Sequence, residues 1–231
     1  MPSLRGVIVG DSQVKFLNRS RLRLIESIKT CTFSFAGYNA VRLARAVSTM
    51  RFERVDFAVV YVGGNDLDSN VDPQEICDNI KALVVQLQRD VAPVVLVFKV
   101  LPRCLEDADA EQKIKKRRLL NRKLTATLKR MPCLRIFNPE HRFLNASKPR
   151  RPMFADDGYH VHRGRGIDQL AKIVVNGLAQ QFGHCVKSPA RAEPGAVYKA
   201  VKCCFCNTKG HKSYECMKFC RPAFRHMSTQ H

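Results

Sequence analysis

The sequence predicts an α/β domain whose parallel sheet is covered by helices on both faces, followed by a linker and a small cysteine-rich tail. Three observations lead there. Short runs that are apolar throughout, rather than alternating, stop at glycine, as strands buried on both faces do. Between them apolar residues recur at helical spacing, so strands and helices alternate. Five of the ten cysteines then crowd into Cys203 to Cys220, beyond the point where the periodicity ends.

Arg5 to Val9 is the first strand and stops at Gly10, after which Val14, Leu17, Leu24, Ile25 and Ile28 recur at helical spacing. Thr30 to Phe35 reads as the second strand, ending at Gly37, and Val41, Leu43, Ala44 and Val47 mark the next helix. Phe57 to Val62, rich in β-branched and aromatic residues and terminated by Gly63-Gly64, is the strongest strand signal in the chain. Pro73 opens a helix whose inward face is Ile76, Ile80, Leu83, Val84 and Leu87. Val94 to Val100 is a further apolar strand, and Ile114, Leu120, Leu124 and Leu128 mark a long basic helix. Leu134 to Phe137 is the last strand, and Ile167, Leu170, Ala171, Val174 and Leu178 close the domain with an amphipathic helix. From Gly183 to Lys202 the periodicity disappears among Pro189, Pro194, Gly195 and basic residues, which predicts a flexible linker.

Charge points to a partner class. Forty Lys and Arg stand against 20 Asp and Glu, a formal net charge of +20. That excess exceeds what solubility requires and implies a polyanion such as nucleic acid or an acidic membrane surface; a merely solvated basic surface is the competing reading. No apolar run is long enough to span a bilayer, and Gly6 to Gly10 is too short for the apolar core of a signal peptide. Cys31, Cys77, Cys104, Cys133 and Cys185 are scattered singly, which suits thiols in a reducing compartment. The chain is therefore expected to be intracellular, cytoplasmic and/or nuclear, and not secreted.

In a parallel α/β sheet functional groups gather at the carboxyl ends of the strands, so the residues just after each strand matter most. After the first comes Gly10-Asp11-Ser12, a strand-to-helix turn that presents a hydroxyl and places its backbone N–H where an oxyanion could sit. After the second stands Gly37, which lets a backbone N–H approach a ligand; after the third, Asn65 of Gly63-Gly64-Asn65-Asp66 offers an amide to developing negative charge. Before the last helix, Asp157-Gly158-Tyr159-His160 places a carboxylate three residues ahead of an imidazole, the spacing that holds Nδ1–H and frees Nε2 to take a proton. Asp156 and His162 compete for that reading but lack the three-residue offset. Taken singly, each element is also an ordinary turn or Asx motif.

Together and in this order, Gly-Asp-Ser, a lone Gly, Gly-x-Asn-Asp and Asp-x-x-His resemble the four sequence blocks of the SGNH (GDSL-like) hydrolase superfamily, over roughly Arg5 to Phe182. The resemblance implies a three-layer flavodoxin-like parallel sheet and ester or acetyl hydrolysis through an acyl-enzyme, without a catalytic metal. It casts Ser12 as nucleophile, His160 as general base and Asp157 as its orienting partner. The oxyanion hole would comprise the backbone N–H groups of Ser12 and Gly37 and the Asn65 side chain. Gln13 and Val14 stand where many members carry Leu-Ser. Arg103, Arg142, Lys148, Arg150 and Arg151 lie in the loops expected to rim the site, compatible with an anionic substrate; nothing in those loops selects the acyl group.

The tail holds Cys203, Cys206, His211 and Cys216, a Cys-x2-Cys-x4-His-x4-Cys pattern with Gly210 before the histidine. Three thiolates and one imidazole satisfy tetrahedral zinc, and a segment this short would draw its folding free energy, on the order of 10 kcal/mol, from the metal. The spacing resembles the retroviral-type zinc knuckle. That resemblance implies one structural Zn2+, single-stranded RNA or DNA as partner, Phe205 and Tyr214 as stacking rings, and Lys209 and Lys212, with Lys202 and Lys218, as phosphate contacts. Cys204 and Cys220 adjoin the ligand set, and Phe205 sits one place later than the usual aromatic. The predicted organisation is a hydrolase-like domain over 1–182, a linker over 183–202, the knuckle over 203–216 and a basic tail over 217–231.

The basic run from Lys113 to Lys123 reads as an extension of a nucleic-acid surface, a nuclear address or the solvated face of a helix. The pairing of domains is similar to the esterase-bearing first open reading frames of some non-LTR retrotransposons. Two rival functions stand beside a nucleic-acid-tethered esterase. One is a packaging protein in which the hydrolase fold is a silent scaffold. The other is a lipid or carbohydrate esterase whose knuckle binds protein.

Overall fold

The computed structural model describes residues 4–17, 22, 28–105, 107–183 and 221–222. In chain order the strands are β1 (Leu4–Gly10), β2 (Ile28–Ser34), β3 (Met50–Arg51), β4 (Phe57–Tyr61), β5 (Val94–Phe98), β6 (Leu134–Phe137), β7 (Leu144–Asn145), β8 (Lys148–Pro149) and β9 (Arg221–Pro222). The α-helices are α1 (Ala40–Thr49), α2 (Gly64–Asp68), α3 (Pro73–Asp90), α4 (Ala110–Leu128), α5 (Glu140–Phe143) and α6 (Arg165–Phe182). Five strands form one sheet in the order β2-β1-β4-β5-β6, with every neighbouring pair parallel. Two short antiparallel pairs, β3 with β9 and β7 with β8, lie outside it. All five predicted main strands are present, and the order places β1 where the chain switches direction across the sheet, the position at which such folds bind ligands.

The two sheet faces are packed differently. Val7, Val9, Ala58, Val60, Val95 and Val97 point toward α1, α3 and α4, whose Leu43, Val47, Ile80, Leu83, Leu87, Leu120 and Leu124 complete that layer. Ile8, Phe57, Val59, Tyr61, Leu96 and Phe98 point toward α6. A single helix covers less area than three, so large rings fill the second layer; Phe98 and Phe137 lie 4.9 Å apart between their centroids. Alternate residues along the strands go to opposite helical layers, and both sets are apolar, as a parallel sheet buried on both faces requires.

Two expectations shift. The helix anticipated over Val14 to Ile28 is, in the described part, a single 3-10 turn (Ser12–Val14), and Ile28 opens β2. The Asp11 carboxylate accepts the Gln13 backbone N–H at 2.9 Å and tightens that turn, while Val14, Leu17 and Leu22 bury in the α6 layer. Leu24 and Ile25 fall outside the described residues. The basic helix α4 does not carry all its charge outward. Arg117 is 6% exposed and donates to Glu140 Oε1 at 2.7 Å, and Asn121 pairs with both backbone groups of Val100, at 2.8 and 3.0 Å. These two polar residues occupy inward positions because they pair with the chain leaving β5, which carries Arg103 toward the site.

Helix α6 reaches the sheet at Gly177, where a Cβ would stand 2.0 Å from Cε1 of the buried Phe137 ring. Gly177→Ala should therefore lower the urea midpoint of unfolding by an amount equivalent to about 1–3 kcal/mol despite alanine's better helix propensity. A midpoint that rises would show that this helix does not sit so close.

Candidate active site

Three strands deliver their following residues to one level. Gly10 is in register with Ser34 on one side and Tyr61 on the other, so the turns after β1, β2 and β4 leave the sheet together. Asp11 N–H donates to Tyr61 O at 3.1 Å, Phe35 N–H to Gly10 O at 2.8 Å and Ser34 Oγ–H to Asp11 O at 2.9 Å, which ties the three exits to each other. Ser12 begins the 3-10 turn on this platform.

His160 arrives from the far end of the sequence, in the turn that precedes α6. Its Nε2 lies 3.1 Å from Ser12 Oγ, and its Nδ1 lies 2.7 Å from Asp157 Oδ2. Asp157 Oδ1 accepts two further bonds, from Tyr159 N–H at 2.8 Å and His160 N–H at 2.9 Å. A carboxylate holding Nδ1–H leaves Nε2 as the acceptor facing the serine hydroxyl. Burial tends to raise the Asp157 carboxyl, but the hydrogen bonds from His160 outweigh it and leave the group below its ordinary value. Gly158 makes the turn possible at φ 66°, with its carbonyl accepting Cys104 N–H at 2.9 Å. His162, the competing histidine, accepts backbone N–H groups of Gly164 and Arg165 on its Nδ1 and so caps the start of α6.

Gly37 and Asn65 occupy the adjoining strand exits. Gly37 has φ 74°, a left-handed conformation that favours glycine, with open space where a side chain would be. Asn65 Nδ2 donates to Tyr38 O at 2.8 Å, which joins the loops after β2 and β4 and leaves its second amide hydrogen for a ligand. Asp66, which sequence reasoning passed over, is 1% exposed and accepts Ala40 N–H on both oxygens, fixing the start of α1. Burial raises its carboxyl above the ordinary value, against the opposing bond from Ala40.

The rim differs from the expected cationic edge. Arg103 donates to Asp68 Oδ1 at 2.6 Å and stacks 3.5 Å from the centroid of Tyr159, whose hydroxyl bonds the other Asp68 oxygen. It is therefore committed to bracing the histidine turn. Arg151 likewise donates to the carbonyls of Ala155 and Asp156. Only the pairing of each arginine with a specific partner in space gives it this role, and nothing in the local sequence announces it. Cys203, Cys206, His211 and Cys216, with Phe205, Lys209, Lys212 and Tyr214, lie outside the described residues.

Beneath the serine, Asp11 is 2% exposed. Burial pushes its carboxyl up from 3.8 to about 7, opposed by the Gln13 N–H and by the charges of Arg103 and His160. The folded chain thus keeps a proton that the unfolded chain releases between about pH 4 and pH 7, so this group's contribution to stability declines as pH rises through that window. Asp11→Asn keeps an acceptor for Gln13 and removes the titration. Relative to the variant, the wild type should lose up to about 4 kcal/mol of unfolding free energy between pH 4 and 8 in urea melts; parallel curves would show that Asp11 is ionised throughout.

The sequence profile of the GDSL-like lipase/acylhydrolase family matches residues 14–163, beginning just after Ser12 and taking in Gly37, Asn65, Asp157 and His160. No curated protein matches the chain. Among solved structures, a GDSL-like lipase from Bacteroides thetaiotaomicron is 17% identical with a TM-score of 0.61, over 77% of this chain and 89% of that one. A carbohydrate esterase family 3 protein from Talaromyces cellulolyticus is 14% identical with a TM-score of 0.56, over 77% and 97%. An acetyl esterase, solved as a serine-to-alanine mutant with an acetate ion, is 15% identical with a TM-score of 0.57, over 77% and 97%. These likenesses establish the fold. With more than half of its length matched by the family profile, the chain belongs to the GDSL-like lipase/acylhydrolase family and is a serine hydrolase acting on ester bonds.

Proposed function

We propose that the chain is an esterase for short acyl groups, acetyl above all, in which Ser12, His160 and Asp157 perform the chemistry. The observation that carries this reading is the continuous run of hydrogen bonds from Ser12 Oγ through the imidazole to Asp157 Oδ2, at 3.1 and 2.7 Å. His160 Nε2 takes the hydroxyl proton as Ser12 Oγ attacks the acyl carbon. The resulting oxyanion is held by the N–H groups of Ser12 and Gly37 and by Asn65 Nδ2. The imidazolium, stabilised by Asp157, returns the proton to the leaving alkoxide. Water then repeats the cycle on the acyl-enzyme. The acetyl preference draws support from the acetyl esterase among the similar structures.

On p-nitrophenyl acetate, Ser12→Ala should lower kcat/KM by at least ~10³-fold and abolish labelling by a fluorophosphonate probe, and Asp157→Asn should cost about 10²- to 10⁴-fold. Equal activity in wild type and Ser12→Ala would remove Ser12 as nucleophile. A wild type that neither turns over nor takes the probe would favour the silent scaffold.

A second element of the proposal is a tether. The Cys203, Cys206, His211 and Cys216 set has the donor chemistry of a structural zinc site, which would hold Phe205 and Tyr214 against bases and Lys209 and Lys212 against phosphates. The net charge of +20 supports a polyanionic partner. So do Lys99, Arg118 and Arg122, which line a hollow of about 490 Å³ beside α4 with Lys115. Intracellular placement and the kinship in architecture to mobile-element proteins belong to this reading. Removing zinc with a chelator should weaken binding of the full chain to a single-stranded oligonucleotide at least about 10-fold in anisotropy titrations. Binding that is indifferent to the chelator would assign the knuckle to another partner.

A further inference from the structure

Gln13 stands where many family members carry leucine, and it is 6% exposed. Its side chain reaches across to the turn that carries the histidine. Nε2 donates to Tyr159 O at 3.1 Å, and Oε1 accepts Val161 N–H at 2.9 Å. One amide thus pairs with the peptide groups on both sides of His160, much as a neighbouring strand would. Leucine could make neither bond.

The need for such a pairing follows from exposure. The His160 and Asp157 side chains are 46% and 49% exposed, so little packing of their own holds them in place. The turn is fastened at its outer side by Tyr159, through Asp68 and Arg103, and at its base by the bridge between Phe154 and Val161. Neither fastening touches Ser12. Gln13 is covalently next to Ser12, and its two partners are covalently next to His160, so this amide is a short, direct gauge between the two groups.

We propose that Gln13 is a positioning residue that sets the His160 imidazole in hydrogen-bonding register with Ser12. The proposal rests on the reading of Ser12 and His160 as the reacting pair. Loss of the amide frees the turn to shift, and a displacement near 1 Å at a reacting pair can cost on the order of 10²-fold in rate. It also strands Val161 N–H and Tyr159 C=O in a largely buried place, which favours such a shift.

Two variants test this in the full chain with p-nitrophenyl acetate. Gln13→Met keeps the volume and removes both hydrogen bonds; kcat should fall about 10- to 100-fold across the pH range, with KM within about twofold and a cooperative thermal transition retained. Gln13→Glu reproduces the donor and acceptor pattern only while protonated. Its activity should approach wild type at the acid end of the profile and fall on an added alkaline limb, as the carboxylate comes to face Tyr159 O. A structural role alone would not create that limb. A kcat for Gln13→Met within twofold of wild type, or a change confined to KM, would overturn the proposal while leaving Ser12 in place. Wild-type activity that survives Ser12→Ala would instead remove the reacting pair, and the positioning role with it.

Discussion

The site depends on how closely β1 and β4 approach at their carboxyl ends. A Cβ at Gly10 would sit 2.4 Å from Tyr61 O, so no side chain fits where the first strand hands over to the serine turn. That contact lets Asp11 N–H reach Tyr61 O and sets the turn against its neighbours at one height. A larger residue there would push the strands apart and tilt Ser12 away from both the histidine turn and the loop that carries Gly37. Parallel pairing supplies the rest, since strands that start on one side must release their functional residues on the other.

Above this platform lies a sharp gradient of solvation. Asp11 and Asp66 are buried, whereas Asp157 and His160 are half-exposed. The buried carboxylates accept backbone N–H groups at the starts of the serine turn and of α1, which is structural work that needs an acceptor more than a charge. The exposed carboxylate holds a histidine, and nearby water limits the cost of its charge. The acidic residues of the three motifs thus divide, Asp11 and Asp66 fixing backbone and Asp157 facing the imidazole, with Asp68 joining Arg103 and Tyr159 on the structural side.

Much of this was legible in the sequence. Continuous apolar runs located β1, β4 and β5 because burial on both faces leaves no alternation; Asp157 and His160 could be singled out by an offset that suits an imidazole, and Ser12 by its strand-to-helix turn and the order of the four blocks. In the described part of the segment after Ser12 a 3-10 turn replaces the expected start of a helix, because apolar residues such as Val14 and Leu17 bury in the core layer from a turn as readily as from a helix. The pairings of Gln13, Arg103, Arg117 and Asn121 were not legible for one shared reason. Each acts on a partner 17 or more positions away, and polar residues whose partners are distant look locally like surface. Arg117 and Asn121 show this best, since helical periodicity alone would place an apolar residue at their inward positions.

The sequence separation of 148 from Ser12 to His160 has a temporal meaning. The serine turn is synthesised before the histidine turn and α6, which come at the end of the domain. Nothing shorter than this span can bring the two together, and the loop closure must be completed before the contact is rewarded. The serine turn can therefore meet its imidazole partner only once the chain through His160 has been made.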